Sequence, residues 1–364
     1  MQNNYFRNMF LFRKILFPFA FLYWLITYVR NCLYDFGLIK SFSYGVPIIA
    51  VGNLSVGGTG KTPQIEYLIR LLSEKYNVAV LSRGYKRKTA GFILADATAT
   101  ASSIGDEPFQ FYSKFPSIQV AVAANRKNGI ESLLQLASRP DIILLDDAYQ
   151  HRQVNAGFYI LLTAYDDLFC DDYILPFGNL RESSLGKKRA DMIIVTKCPN
   201  DLSELSQQKI REKLKVNQQV FFTTIQYDDF VFGHNTEVLV AESKKESKVL
   251  VAGIAKPNLF FEFLKNDTDD TLFFPDHHQF SKQDCEHILS RANGRKIITT
   301  EKDYVRLNGL LPKEQVYFLP IKVAFLNKNI DSWICKIIHL GPLPSQFIEP
   351  AILNGSPPIL QGVS

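Results

Sequence analysis

What the 364-residue chain lacks already removes several classes of protein. Its five cysteines (Cys32, Cys170, Cys198, Cys285 and Cys335) form no C-x-x-C pair. An odd count at wide spacing argues against a disulfide framework or a zinc site, and fits a reducing cytoplasm. The formal net charge is only +5, too small to argue for a nucleic-acid partner. The apolar run Ile15–Val29 (ILFPFAFLYWLITYV) falls short of the roughly 20 residues that span a bilayer, and Pro18 interrupts it early. No small-residue cleavage site follows it, which counts against a secretory signal. No internal repeat is present.

What is there is organised around Val46–Thr62, VPIIAVGNLSVGGTGKT. A strand-like apolar run gives way to a glycine-rich turn, and a helical pattern follows at Ile65, Leu68, Ile69 and Leu72. That is the context a phosphate-binding loop requires. The segment Ser55, Val56, Gly57, Gly58, Thr59, Gly60, Lys61 and Thr62 would curl its N–H groups around phosphate oxygens and deliver them to a helix N-terminus. Lys61 would reach the outer phosphates, and the Thr62 hydroxyl would hold Mg2+. One position departs from G-x-x-x-x-G-K-[ST]: Ser55 stands where the pattern has its first glycine.

Strand-like runs at 77–82, 118–122, 141–145, 158–162 and 192–195 alternate with helical stretches. The alternation predicts an α/β fold of the P-loop type, a mostly parallel sheet with helices on both faces. In such sheets ligands sit outside the carboxyl ends of the strands. Asp106-Glu107 and Asp146-Asp147 follow apolar strand-like runs or lie in loops after them. The second pair reads as the nucleotide motif that holds the metal directly or through water, with turn capping as the competing reading.

Residues 1–40 form an N-terminal arm in which five basic residues face one acid. Its aromatics (Phe17, Phe19, Phe21, Tyr23, Trp24, Tyr28) suit a helix lying in a membrane interface, against a core helix or a full span. Residues 41–218 hold the nucleotide motifs, 219–247 read as a two-stranded connector, 248–340 as a smaller α/β domain, and 341–364 as a loose tail. The second domain carries Asp276-His277-His278 and Thr300-Glu301-Lys302-Asp303. Adjacent histidines point different ways, so the pair alone makes no zinc site. The role of the second motif stays open between capping and function.

Together these segments resemble the tetraacyldisaccharide 4′-kinases of lipid A biosynthesis. The likeness runs through Val51–Pro63, Ser82-Arg83-Gly84-Tyr85, Gly105-Asp106-Glu107-Pro108, Asn125-Arg126, Asp146-Asp147 with Gln150-His151-Arg152, Pro176–Glu182, Asp276-His277-His278 and Thr300–Asp303. That family also has serine at the Ser55 position, while Ala148-Tyr149 stands where it more often shows Gly-Phe. The resemblance implies transfer of the ATP γ-phosphoryl to the 4′-hydroxyl of an acylated disaccharide 1-phosphate lipid. It also implies a peripheral or monotopic enzyme on the cytoplasmic face of the inner membrane, with no obligate protein partner.

Within that resemblance, Asp106 is the expected base for the sugar hydroxyl, with His277 pairing across a cleft, and Glu107 is a further magnesium candidate. Lys61 serves the transferring phosphates. Arg126 and Arg181 are candidates for the substrate's phosphate, because guanidinium matches its oxygens, and Glu182 joins them as a substrate-binding candidate. The rival reading is a membrane-associated P-loop ATPase acting as a switch or motor. A GTPase is disfavoured, because Thr196-Lys197-Cys198-Pro199 has proline where [NT]-K-x-D needs aspartate.

Overall fold

β1 (Ile48–Asn53) is buried at every position, as a central strand covered on both faces must be. It is the middle strand of a nine-stranded sheet in the computed structural model, which describes residues 16–254, 257–276, 278–307 and 309–326. Its companions are β2 (Val78–Ser82), β3 (Ile93–Leu94), β4 (Gln119–Val122), β5 (Ile142–Asp146), β6 (Phe158–Ala164), β7 (Met192–Thr196) and β8 (Gln219–Tyr227). A second, six-stranded sheet contains β9 (Phe230–Gly233), β10 (Thr236–Leu239), β11 (Lys248–Ala252), β12 (Asp270–Phe273), β13 (Lys296–Thr300) and β14 (Val316–Leu319). β15 (Ile321–Phe325) then returns to the first sheet, whose order is β15-β8-β7-β6-β1-β5-β2-β4-β3.

The longer helices among the described residues are α1 (Phe17–Asp35), α2 (Lys61–Leu72), α3 (Asp106–Lys114), α4 (Arg126–Leu134), α5 (Glu204–Leu214), α6 (Asn258–Leu264), α7 (Lys282–Ala292) and α8 (Glu301–Leu307). Alternation along β1 sends Ile49 and Val51 to one face, against Ile65, Leu68, Ile69 and Leu72 of α2. Ile48 and Ala50 go to the other face, against Ile130 and Leu133 of α4. The parallel interior and its two helical layers are the P-loop-type α/β fold expected from the sequence.

Two details differ from expectation. The runs expected to pair as a separate connector belong to different sheets: β8 pairs in parallel with β7, while β10 closes a hairpin with β9 at the edge of the second sheet. The two strands that do cross between the sheets are β8 and β15, paired antiparallel from Ile321↔Tyr227 to Phe325↔Thr223. The sequence hid this because β15 lies far downstream of its partner. Pro18, read as an interruption, sits in the first turn of α1, where its missing N–H costs no helical bond. No helix among the described residues is long and apolar enough to cross a membrane. The expected tail 341–364 lies outside the described residues, as do Arg7, Arg13 and Lys14.

Candidate active site

The phosphate loop joins the end of β1 to the start of α2, and its glycines carry the geometry. Gly57 (φ +112°) and Gly60 (φ +81°) adopt left-handed conformations that a side chain resists. Gly52 faces a different demand: a Cβ there would lie 2.7 Å from the Tyr149 Cβ. The loop is held from outside, because Val56 N donates to Asn179 O at 2.7 Å and Thr196 Oγ1 donates to Thr59 O at 2.8 Å. Ser55 bridges to Leu180 in place of the pattern's glycine. Lys61 Nζ lies 3.3 Å from Asn53 Oδ1 and 3.6 Å from Asp147 Oδ1, and Thr62 is buried beside it.

Parallel pairing of β1 with β5 sets Asp146 level with Val51, so the paired aspartates emerge next to the loop. Asp146 turns inward, where Ser82 Oγ donates to it at 2.9 Å. Burial first, then the anions of Asp147 and Glu107, push its carboxyl up to about 6. Asp147, in a left-handed turn (φ +48°), receives both Lys61 and Arg181 NH1, the latter at 2.9 Å. Burial pulls Asp147 upward, but Lys61 and Arg181 outweigh it and hold the carboxyl below its ordinary value.

Asp106 and Glu107 open α3 behind Gly105, whose φ of +98° frees the turn. Both face α8 of the second sheet: Arg306 Nε lies 2.8 Å from Asp106 Oδ2, and Lys302 Nζ lies 3.1 Å from Glu107 Oε1. Burial raises the Glu107 carboxyl, yet Lys302 leaves it below the usual range. His277 lies outside the described residues. Its neighbour His278 donates from Nε2 to Asp284 Oδ2 at 3.0 Å and stacks on Phe274, a local structural role.

The remaining candidates divide. Arg181 stays at the site through Asp147. Arg126 is buried, with Nη1 donating to the Ala123 carbonyl (2.7 Å) and Nη2 to the Asp146 carbonyl (3.1 Å), a clamp between strand ends, while its Nε has no protein partner. Burial lowers its pKa to about 10. Glu182 is likewise buried, taking Asn31 Nδ2, Gln150 Nε2 and Arg189 NH2 at 2.9, 3.0 and 2.8 Å. That knot, with Tyr23 OH on Arg181 O (2.8 Å) and Arg152 on Asp35 (2.6 Å), fastens α1 beside the site. Only Ala20 of α1 is buried, while Phe17, Phe19 and Ile26 stay about 60% exposed (61, 63 and 59%). A core helix is therefore not what α1 forms.

This geometry can be set beside known proteins. Residues 12–339 match the family described as LpxK, tetraacyldisaccharide-1-P 4′-kinase. The chain belongs to this family. It is 62% identical over 332 residues to the tetraacyldisaccharide 4′-kinase of Flavobacterium johnsoniae, covering 90% of this chain and 98% of that one. It is 45% identical over 350 residues to the enzyme of that name from Bacteroides thetaiotaomicron, covering 89 and 92%. The LpxK of Aquifex aeolicus, solved in complex with ATP, superposes with a TM-score of 0.72 at 30% identity, covering 90% of this chain and 99% of that one. Family membership makes the chain an ATP-dependent kinase and sets aside the switch-ATPase reading. Sequence reasoning left the role of Lys302 open with its motif and missed Arg306 altogether. Their spacing of four on a helix that follows a strand is the one signal that could have paired them with two adjacent acids.

Proposed function

We propose that the protein transfers the γ-phosphoryl group of ATP to the 4′-hydroxyl of a tetraacyldisaccharide 1-phosphate at a membrane surface. One set of observations supports the reading: a phosphate loop, an acidic turn whose Glu107 anion is felt at Asp146 beside that loop, and a helix with exposed apolar side chains fastened to Arg181 and Glu182. An acceptor with acyl chains would stay in the bilayer under α1 while its sugar reaches the site. The cytoplasmic face of the inner membrane suits such a substrate.

Lys61 would withdraw from Asp147 to the transferring phosphates, and Ser55–Thr62 would wrap them. Arg181 would replace Asp147 with the substrate's phosphate or steady the transferred group. Asp106, only partly exposed, would accept the hydroxyl proton, with His277 as the partner that the family likeness assigns. Mg2+ fits the chemistry of the site: burial, and after it the neighbouring anions of Asp147 and Glu107, raise the Asp146 carboxyl to about 6, and a cation beside these carboxylates would favour their ionised forms. The ion would be held mainly by phosphate oxygens and water, with Thr62 and one or two of these carboxylates completing its shell. When bound, it would neutralise charge building on the phosphates.

The test is transfer of labelled γ-phosphate from ATP to a tetraacyldisaccharide 1-phosphate in detergent micelles, with Asp106→Ala and His277→Ala alongside. Labelled lipid that falls about a hundredfold or more in both variants supports the reading. ATP hydrolysis without labelled lipid refutes it.

A further inference from the structure

The motif Thr300-Glu301-Lys302-Asp303 and the four residues after it form α8, a short helix that packs on α3 from the other sheet. Three of its side chains reach across: Glu301 to Lys114, Lys302 to Glu107 and Arg306 to Asp106. Two of the three end on the acids of the candidate site. Surface pairs of this kind contribute little, but Arg306 is not at the surface; its side chain is 2% exposed.

Its anchorage is also unusual. Nη1 donates to Asp303 Oδ1 at 2.9 Å and reaches toward Gly253 O at 3.4 Å, while Nε donates to Asp106 Oδ2 at 2.8 Å. Asp303 is itself fixed: its Oδ2 accepts from Gly253 N (2.8 Å) and Thr300 Oγ1 (2.7 Å), and it is fully buried. Gly253 ends β11 so tightly that a Cβ there would meet Asp303 Oδ1 at 3.0 Å and Pro275 O at 3.4 Å. The guanidinium is thus rooted in the second sheet where the Pro275 loop packs, and its Nε fixes one oxygen of Asp106. Asp106 begins α3 after a glycine in a left-handed turn, so its backbone alone leaves the carboxylate several rotamers. A fork that is already held in place selects one of them at small entropic cost.

We propose that Arg306 is a positioning residue for phosphoryl transfer: braced by Asp303 and Gly253, it fixes the orientation of the Asp106 carboxylate from the opposite lobe. This rests on the reading of Asp106 as the group that takes the acceptor's proton. A positioned base is worth more than a merely present one, since small misplacements cost orders of magnitude in rate.

The test is a double-mutant cycle on the full-length protein in micelles, with ATP and a tetraacyldisaccharide 1-phosphate: wild type, Arg306→Gln, Asp106→Asn and both together. The expected result is a fall in kcat of about thirtyfold for Arg306→Gln, with KM for both substrates within about twofold, and no further loss when it is added to Asp106→Asn. An additive loss in the double variant, or a loss confined to KM, overturns the proposal and makes Arg306 a lobe tie. If Asp106→Asn keeps wild-type kcat, the base assignment itself fails, and Arg306 has nothing to position. Should the glutamine variant not accumulate, Arg306→Lys runs the same cycle, keeping the charge and losing the second arm of the fork. Its expected kcat lies about threefold to tenfold below wild type, with no further loss when combined with Asp106→Asn, and a value equal to wild type refutes the proposal.

Discussion

Glu301 offers a prediction that can be worked through from its surroundings. Its Oε1 lies 2.6 Å from Lys114 Nζ, and that ammonium is shared with Glu66 at 2.8 Å. Glu66 also receives Arg70 NH2 at 2.9 Å and Gln110 Nε2 at 2.8 Å, whereas Glu301 Oε2 is buried without a protein partner. Burial first, then the Glu66 anion, lift the Glu301 carboxyl to about 7, with Lys114 pulling the other way. The folded protein therefore holds a proton on Glu301 between about pH 4.5 and 7 that the unfolded chain releases, and stability falls as pH rises through that window. The full cost above pH 7 is about 3 kcal/mol. Glu301→Gln keeps the shape and cannot ionise, so it should recover most of that cost at pH 8 and only about a quarter of it at pH 5. With an unfolding entropy of about 2.1 cal/mol/K per residue, the gain corresponds to about 4 °C in Tm for a chain of 364 residues. Differential scanning calorimetry of both proteins at half-unit pH steps reads it directly. A variant that melts below wild type at pH 8 would refute the reasoning, because Glu301 would then be ionised and favourably paired with Lys114.

Other outcomes follow from the same contacts. Because Asp146 sits near 6, protons should compete with a divalent cation below that pH, and the Mg2+ needed for half-maximal activity should rise about tenfold per unit of acidification; a flat requirement from pH 5 to 7 counts against Asp146 as a ligand. Lys61→Met should lower kcat/KM for ATP by about a thousandfold with Tm little changed, read by initial rates and melting. Gly52→Ala drives a Cβ into Tyr149 at 2.7 Å and should cost about 1–3 kcal/mol, seen as a lower Tm. Phe19→Glu with Ile26→Glu should leave Tm unchanged, since both side chains are exposed, yet reduce sedimentation with anionic vesicles about tenfold or more.

Much of the first sheet was legible because its strands are local. Each apolar run such as Ile142–Leu145 is buried on both faces, and that burial is written in the composition of the run itself. β15 was not legible, since nothing within Ile321–Phe325 says that its partner lies almost a hundred residues upstream in β8. The strand, glycine turn and helix around Gly57–Thr62 were legible for a similar reason: a turn that bares consecutive N–H groups is written in consecutive residues. Arg126 shows the opposite case. An arginine after Asn125 looks the same in sequence whether it faces a phosphate or clamps Ala123 and Asp146, and only burial distinguishes the two.

The acidic turn at Asp106 draws these lines together. Its carboxylates belong to the first sheet, but the cations that meet them belong to the second, so the ionic state of the turn depends on how the two lobes sit. Chain connectivity reinforces that dependence, because β8 and β15 cross side by side, and Lys322 pairs with Asp228 at 2.5 Å where they enter the second sheet. Were one lobe to rotate against the other about these two paired strands, slip along the strands would break their ladder of hydrogen bonds. Rotation would change the distances from Lys302 and Arg306 to Glu107 and Asp106 together, whereas the phosphate loop, Lys61 and the paired aspartates all belong to the first lobe and would keep their geometry. Nucleotide affinity should therefore be insensitive to substitutions in α8, and the rate of transfer should be sensitive to them. That separation is what places the acidic turn, and not the phosphate loop, as the point where lobe arrangement governs chemistry.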